Sequence, residues 1–139
     1  MISIIENLGY TVLLKTRPKD KVFDFTQKTI ISDIYPNESL ELMKISEYCL
    51  FFSSSCIEET MMMEIPSIDF IVDNDFKRCD FLYDNECIIQ LKEWKNINIG
   101  EFKKLLNKLK KKNDDKFKIL KNKYLNESNC TDKIFNLIK

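Results

Sequence analysis

Tyr48-Cys49-Leu50-Phe51-Phe52-Ser53-Ser54-Ser55-Cys56-Ile57-Glu58-Glu59-Thr60 is the stretch on which the fold class turns. Residues 48–52 form a continuous apolar run of strand length, which suits a strand buried on both faces. Three serines end the run. Ile57, Met61 and Glu64 then recur at helical spacing until Pro66, which has no N–H to continue a helix. A buried strand therefore feeds a helix through serines, and residues 67–72 read as the next strand.

Working outward, residues 2–8 read as the end of a helix stopped by Gly9, and 11–15 as a short strand broken by Arg17-Pro18. A weaker strand candidate covers 29–34. Pro36-Asn37 opens a helix with Asn37 as N-cap and with Leu40, Met43 and Tyr48 along one face. Downstream, 86–91 reads as a further strand. Phe102, Leu105, Leu106 and Leu109 form a helical stripe, followed by helices carrying Phe117, Leu120 and Tyr124, and then Ile134, Leu137 and Ile138. This alternation predicts an α/β fold with a parallel sheet flanked by helices on both faces. We read 1–139 as one domain, with 98–139 as its C-terminal helical segment.

Composition narrows the chemistry. The chain of 139 residues contains no histidine, which excludes His-ligated zinc and Ser-His-Asp or Cys-His catalysis unless a partner chain supplies the imidazole. Its five cysteines, Cys49, Cys56, Cys79, Cys87 and Cys130, include no CxxC pair, so neither a disulfide framework nor a thiolate metal site is expected. Buried free thiols are the expectation for most of them. Cys56 is the one thiol placed at a helix start, yet no base stands near it in sequence, so an inert role is favoured. No cofactor is expected. No apolar run approaches the roughly 18 residues needed to span a bilayer, and no secretory pattern opens the chain, so a cytoplasmic location is expected.

Twenty-two basic residues balance twenty-two acidic ones, but the charge is unevenly spread. Residues 101–123 hold ten lysines against three acids, a local +7 offset by −7 elsewhere. Such a stretch suits anionic lipid at a membrane surface or nucleic acid. Equally, its apolar stripe can pack inward while the lysines stay in water. No aromatic platform interleaves the lysines, which favours the second reading and argues against nucleic acid.

The serine segment combines what an anion site requires: the end of a buried strand, the opening of a helix, and hydroxyl groups. At the carboxyl end of a parallel strand, the first N–H groups of the next helix point into the crevice where α/β proteins bind ligands. A diphosphate fits there, with Glu58 or Glu59 placed to grip ribose hydroxyls. The plainer account is that Ser53, Ser54 and Ser55 cap a helix whose N-terminus favours acidic residues. Met61-Met62-Met63 reads as core packing rather than a ligand pocket, and Trp94 as an anchor beneath the C-terminal helices.

Ser53-Ser54-Ser55-Cys56-Ile57-Glu58-Glu59-Thr60, followed by Ile65-Pro66 and a strand, resembles the Ser-Gly-Gly-x-x-Glu-Glu-Ala pattern of GT-B type nucleotide-sugar enzymes. The likeness is greatest to UDP-N-acetylglucosamine 2-epimerase-like and surface polysaccharide biosynthesis proteins. Lys15-Thr16-Arg17-Pro18 resembles their strand-end His-Pro element, and 37–43 their helix before the serine motif. Cys130-Thr131-Asp132-Lys133-Ile134 is similar to their closing segment. The resemblance implies a Rossmann-like C-terminal half, N-terminally truncated, with extra helices at its end. It implies that Ser53 and Ser55 meet a nucleotide-sugar diphosphate, that Ser54 contributes backbone, that Glu59 binds ribose, and that Arg17 contacts phosphate at the crevice mouth.

Departures limit this. Arg17 replaces His, Phe52 stands where Asp is frequent, and serines replace the glycine pair that lets backbone approach phosphate, so epimerase activity is not expected. The catalytic residues stay unassigned, because the family's N-terminal domain supplies the acceptor site and most catalytic groups. The chain is not expected to be active alone, and its expected partners are a nucleotide-diphosphate sugar and that missing domain or a partner chain. The alternative is a non-catalytic Rossmann-like remnant serving as an interaction or assembly module, whose uncovered apolar surface favours homo-oligomers.

Overall fold

The computed structural model describes residues 1–15, 29–32, 38–72, 83 and 86–126. Within these the protein is α/β and divides into two compact units, Met1–Ser46 with Glu93–Lys108, and Glu47–Lys92 with Leu109–Lys139. The helical segment read from 98 onward is thereby shared: its first helix belongs to the first unit and its second to the other.

In the first unit, α1 (Ile2–Asn7) ends as its glycine foretells. Gly9 adopts φ 93°, a left-handed conformation that costs glycine little, and its N–H reaches the Glu6 carbonyl while that of Tyr10 reaches Ile5. β1 (Val12–Lys15) and β2 (Thr29–Ser32) pair in parallel, with Val12 opposite Thr29. α2 (Glu38–Ile45) buries Met43, but Leu40 is 42% exposed and Tyr48 lies beyond the helix, so the expected three-residue face reduces to Met43. The region of Arg17, Pro36 and Asn37 lies outside the described residues. α4 (Ile99–Lys108) buries Phe102 and Leu106 and packs on α1. Its start is a reciprocal cap: Glu101 N–H donates to Asn98 Oδ1 at 3.0 Å, and Asn98 N–H to Glu101 Oε2 at 3.1 Å. Trp94 is half-buried.

The second unit carries a three-stranded parallel sheet, β3 (Cys49–Phe52), β4 (Ser67–Phe70) and β5 (Ile88–Leu91), in the order β3-β4-β5. Central β4 is buried throughout, as a strand between two neighbours and beneath helices must be. β5 starts at Ile88, two residues later than the sequence pattern predicts. α3 (Ile57–Met62) connects β3 to β4, and α5 (Asp115–Asn126) packs beside it. Ile57, Met61, Cys87, Ile88, Phe117 and Leu120 form the core, with Phe51 and Tyr83 against it. Of the methionine triplet, Met61 is fully buried while Met62 is 46% exposed, which limits core packing to part of the group.

α3 ends before Glu64, earlier than the periodicity predicts, and with the same backbone pattern as α1 but without glycine. Glu64 takes φ 59°, its N–H bonding Met61 and that of Ile65 bonding Thr60. A side chain in that conformation costs about 1 kcal/mol. Contacts near α5 offset it: Lys121 pairs with the Glu64 carboxylate, and Asn113 N–H donates to its carbonyl at 3.0 Å. Asp114 caps α5, accepting from Lys116 N–H at 3.0 Å. The lysines of this region are therefore not all surrendered to water. Lys110 and Lys116 pair with Glu86, and Lys121 with Glu64, so acids outside the basic stretch neutralise part of it.

Candidate functional site

β3 presents its residues alternately to two faces. Phe51 packs into the core below α3 and α5, whereas the Phe52 ring lies 5.1 Å from that of Phe70, its register partner on β4, and is 50% exposed. Cys49 is buried, and burial pushes its thiol up to about 12, which keeps it protonated and unreactive. Cys87 is also buried and Cys56 is half-buried, while Cys79 and Cys130 lie outside the described residues.

The chain leaves β3 through Ser53 with φ 50°, turning sharply in place of extending the strand. That turn is held from below. Asp69, opposite Phe51 on β4 and fully buried, accepts the Ser53 N–H through Oδ1 at 3.0 Å and the Tyr83 hydroxyl through Oδ2 at 2.7 Å. Ser53 Oγ accepts in turn from Val72 N–H at 3.2 Å. Two donors on a buried carboxylate offset much of the cost of removing it from water.

Beyond Ser53 the turn opens outward. Ser54 Oγ accepts from Cys56 N–H at 3.3 Å, and Glu58 N–H bonds the Ser55 carbonyl at 3.1 Å. Among the described residues, no hydrogen-bond partner meets the N–H groups of Ser54 and Ser55 or the Ser55 hydroxyl. Ser55, Glu58 and Glu59 are exposed, the two glutamates lying in the first turn of α3. Sequence reading thus gathers Ser53, Ser54, Ser55, Glu58 and Glu59 at one strand end, and the structure brings them together there. Within that cluster the Ser53 amide donates to Asp69 and the Ser53 hydroxyl oxygen accepts from Val72 N–H. Arg17 lies outside the described residues.

Two participants escape sequence reading, Asp69 and Tyr83. A trace of Asp69 exists in the pattern, since a lone carboxylate inside the apolar 67–72 run must find donors if that strand is buried. Nothing local marks Tyr83, whose role depends on long-range packing. A second polar cluster lies at the other end of α3: Thr60 Oγ1 donates to the Ile57 carbonyl at 2.8 Å, and Ser67 Oγ lies 2.8 Å from Thr60 Oγ1 and 3.0 Å from the Ile65 carbonyl. Both hydroxyl residues are fully buried. No group of three metal-ligating side chains is found among the described residues, and none of the described helices is long and apolar enough to cross a membrane. Comparison with protein-family models, characterised proteins and solved structures finds no match.

Proposed function

We propose that the chain serves as the nucleotide-diphosphate-sugar-binding C-terminal half of a glycosyltransferase-like protein of surface carbohydrate synthesis, with a Rossmann-like, GT-B type architecture. The supporting observation is the serine turn: it stands at the carboxyl end of a parallel strand, opens a helix, and leaves the Ser54 and Ser55 N–H groups and the Ser55 hydroxyl without partners among the described residues. In this reading those groups meet the diphosphate, Arg17 adds a charged contact, and Glu59 or Glu58 binds ribose hydroxyls. Hydrogen bonds to the departing diphosphate stabilise the charge that develops on it during sugar transfer. The acceptor site and the general base belong to a companion domain.

Titration calorimetry with UDP, CDP and their sugars tests this. Saturable binding is expected, weakened about 5-fold by Ser55→Ala, the worth of one hydroxyl contact, and by a similar factor in Glu59→Ala. Absence of heat with every nucleotide at millimolar concentration would overturn it.

A second reading, an interaction or assembly module without catalysis, draws on two observations at the same edge. The Ser53 amide and hydroxyl oxygen are already engaged, and Phe52 and Val72, 50% and 62% exposed, offer apolar surface there. Nucleotide silence combined with concentration-dependent sedimentation would favour it, with homo-oligomers as the product.

A further inference from the structure

We propose that Asp69 and Tyr83 form a positioning pair: the buried carboxylate, oriented by the tyrosine hydroxyl, fixes the Ser53 amide and so sets the turn from which Ser54 and Ser55 face an anionic ligand. The ligand clause rests on the nucleotide reading above, whereas the fixing of the turn does not.

The carboxylate carries the argument. Asp69 is fully buried in the central strand, where an apolar residue would satisfy packing with no need of donors. Its two oxygens divide their work, Oδ1 on the Ser53 N–H and Oδ2 on the Tyr83 hydroxyl, so the tyrosine constrains the carboxylate plane that holds the amide. Ser53 has φ 50°, a conformation that non-glycine residues keep only where neighbours enforce it, and the bond from Asp69 together with the Val72 N–H on its hydroxyl oxygen supplies that enforcement. Here serines occupy the turn, and a buried carboxylate constrains backbone that glycine would leave free.

Amide hydrogen exchange and a UDP titration, both on the full chain, test the pair in Asp69→Ala, Asp69→Asn and Tyr83→Phe. Loss of one charge-assisted bond should speed exchange at Ser53 about 10-fold in Asp69→Ala and a few-fold in Tyr83→Phe, with the Ile68 and Ile89 amides of the same sheet changing less than about 2-fold. Asp69→Asn, which retains an oxygen for the Ser53 N–H, should restore slow exchange. UDP affinity should weaken in the same order. Exchange at Ser53 that rises only in step with Ile68 and Ile89 would overturn the pair. So would unaltered UDP affinity in a Tyr83→Phe protein whose Ser53 amide is released. If the unsubstituted chain binds no UDP, the nucleotide reading fails by itself and the exchange data alone decide whether Asp69 and Tyr83 fix the turn. Should Asp69→Ala fail to fold, Tyr83→Phe and Asp69→Asn still decide.

Discussion

Two hydroxyl clusters at opposite ends of α3 are built from similar residues and behave differently. Thr60 and Ser67 are fully buried, with each hydroxyl placed against partners within the second unit. Ser53, Ser54 and Ser55 are only half tied in: Ser53 is bound by Asp69 and Val72, whereas the Ser55 hydroxyl meets no partner among the described residues. The difference lies in which end of a strand each occupies. Thr60 and Ser67 sit where the chain enters β4 beneath α3, and a polar atom enclosed there must be satisfied internally. The serine turn sits where the chain leaves β3, at the edge where parallel sheets keep their backbone donors available. A hydroxyl group therefore acquires its role from position.

The largest effect should come from the core under both clusters. Met61→Ala, at a fully buried site, should cost about 3 kcal/mol in urea unfolding and loosen both regions together. A much smaller loss would mean that α3 is not anchored by this core. Thr60→Val comes next, and it separates the clusters. Removing one satisfied hydroxyl from the closed pair should cost about 1 kcal/mol while leaving nucleotide affinity unchanged, because Ser67 keeps the Ile65 carbonyl as acceptor. A fall in affinity beyond that explained by unfolding would break the distinction between a closed and an open cluster.

The smallest effect belongs to α5, remote in sequence from the turn. The Lys118 ammonium, hydrogen-bonded to Asp115, holds that carboxyl below the usual carboxylate range, and Asp115 holds Lys118 above the usual lysine range. A lowered carboxyl contributes stability above its unfolded value and loses it as pH falls through its folded value. A raised lysine contributes below its unfolded value and loses it as pH rises through its folded one. Both groups are exposed, so screening keeps the effect small. Thermal melts of Asp115→Asn should lie slightly below those of the unsubstituted chain at neutral pH and converge with them on the acid side. Divergence that grows with acid would reverse the sign argument.

Much of the second unit was legible in the sequence because its periodicities are strong. The apolar run before Ser53 announced β3, and Phe117 with Leu120 marked the buried face of α5. Less legible was α2, where Leu40 and Tyr48 fit the helical spacing but the helix ends at Ile45. Periodicity alone does not decide where a helix stops. Glu64 shows the same limit, since no local preference favours glutamate in a left-handed conformation, and the contacts from Lys121 and Asn113, both distant in sequence, help to hold it there. At the candidate site, the cluster itself was visible as a run of serines and glutamates, but its internal division was not.

The sequence by itself determined the α/β alternation, the absence of any imidazole from these 139 residues, and the meeting of serines and acidic residues at one strand end, since each depends on residue type and short-range spacing. Only the tertiary structure decided that Ser53 turns inward to Asp69 while Ser55 remains outside. That choice depends on a carboxylate sixteen positions away and a tyrosine thirty positions away, brought together by parallel pairing and burial. Hydrogen bonds across such separations follow from the packed sheet, and no local pattern encodes them.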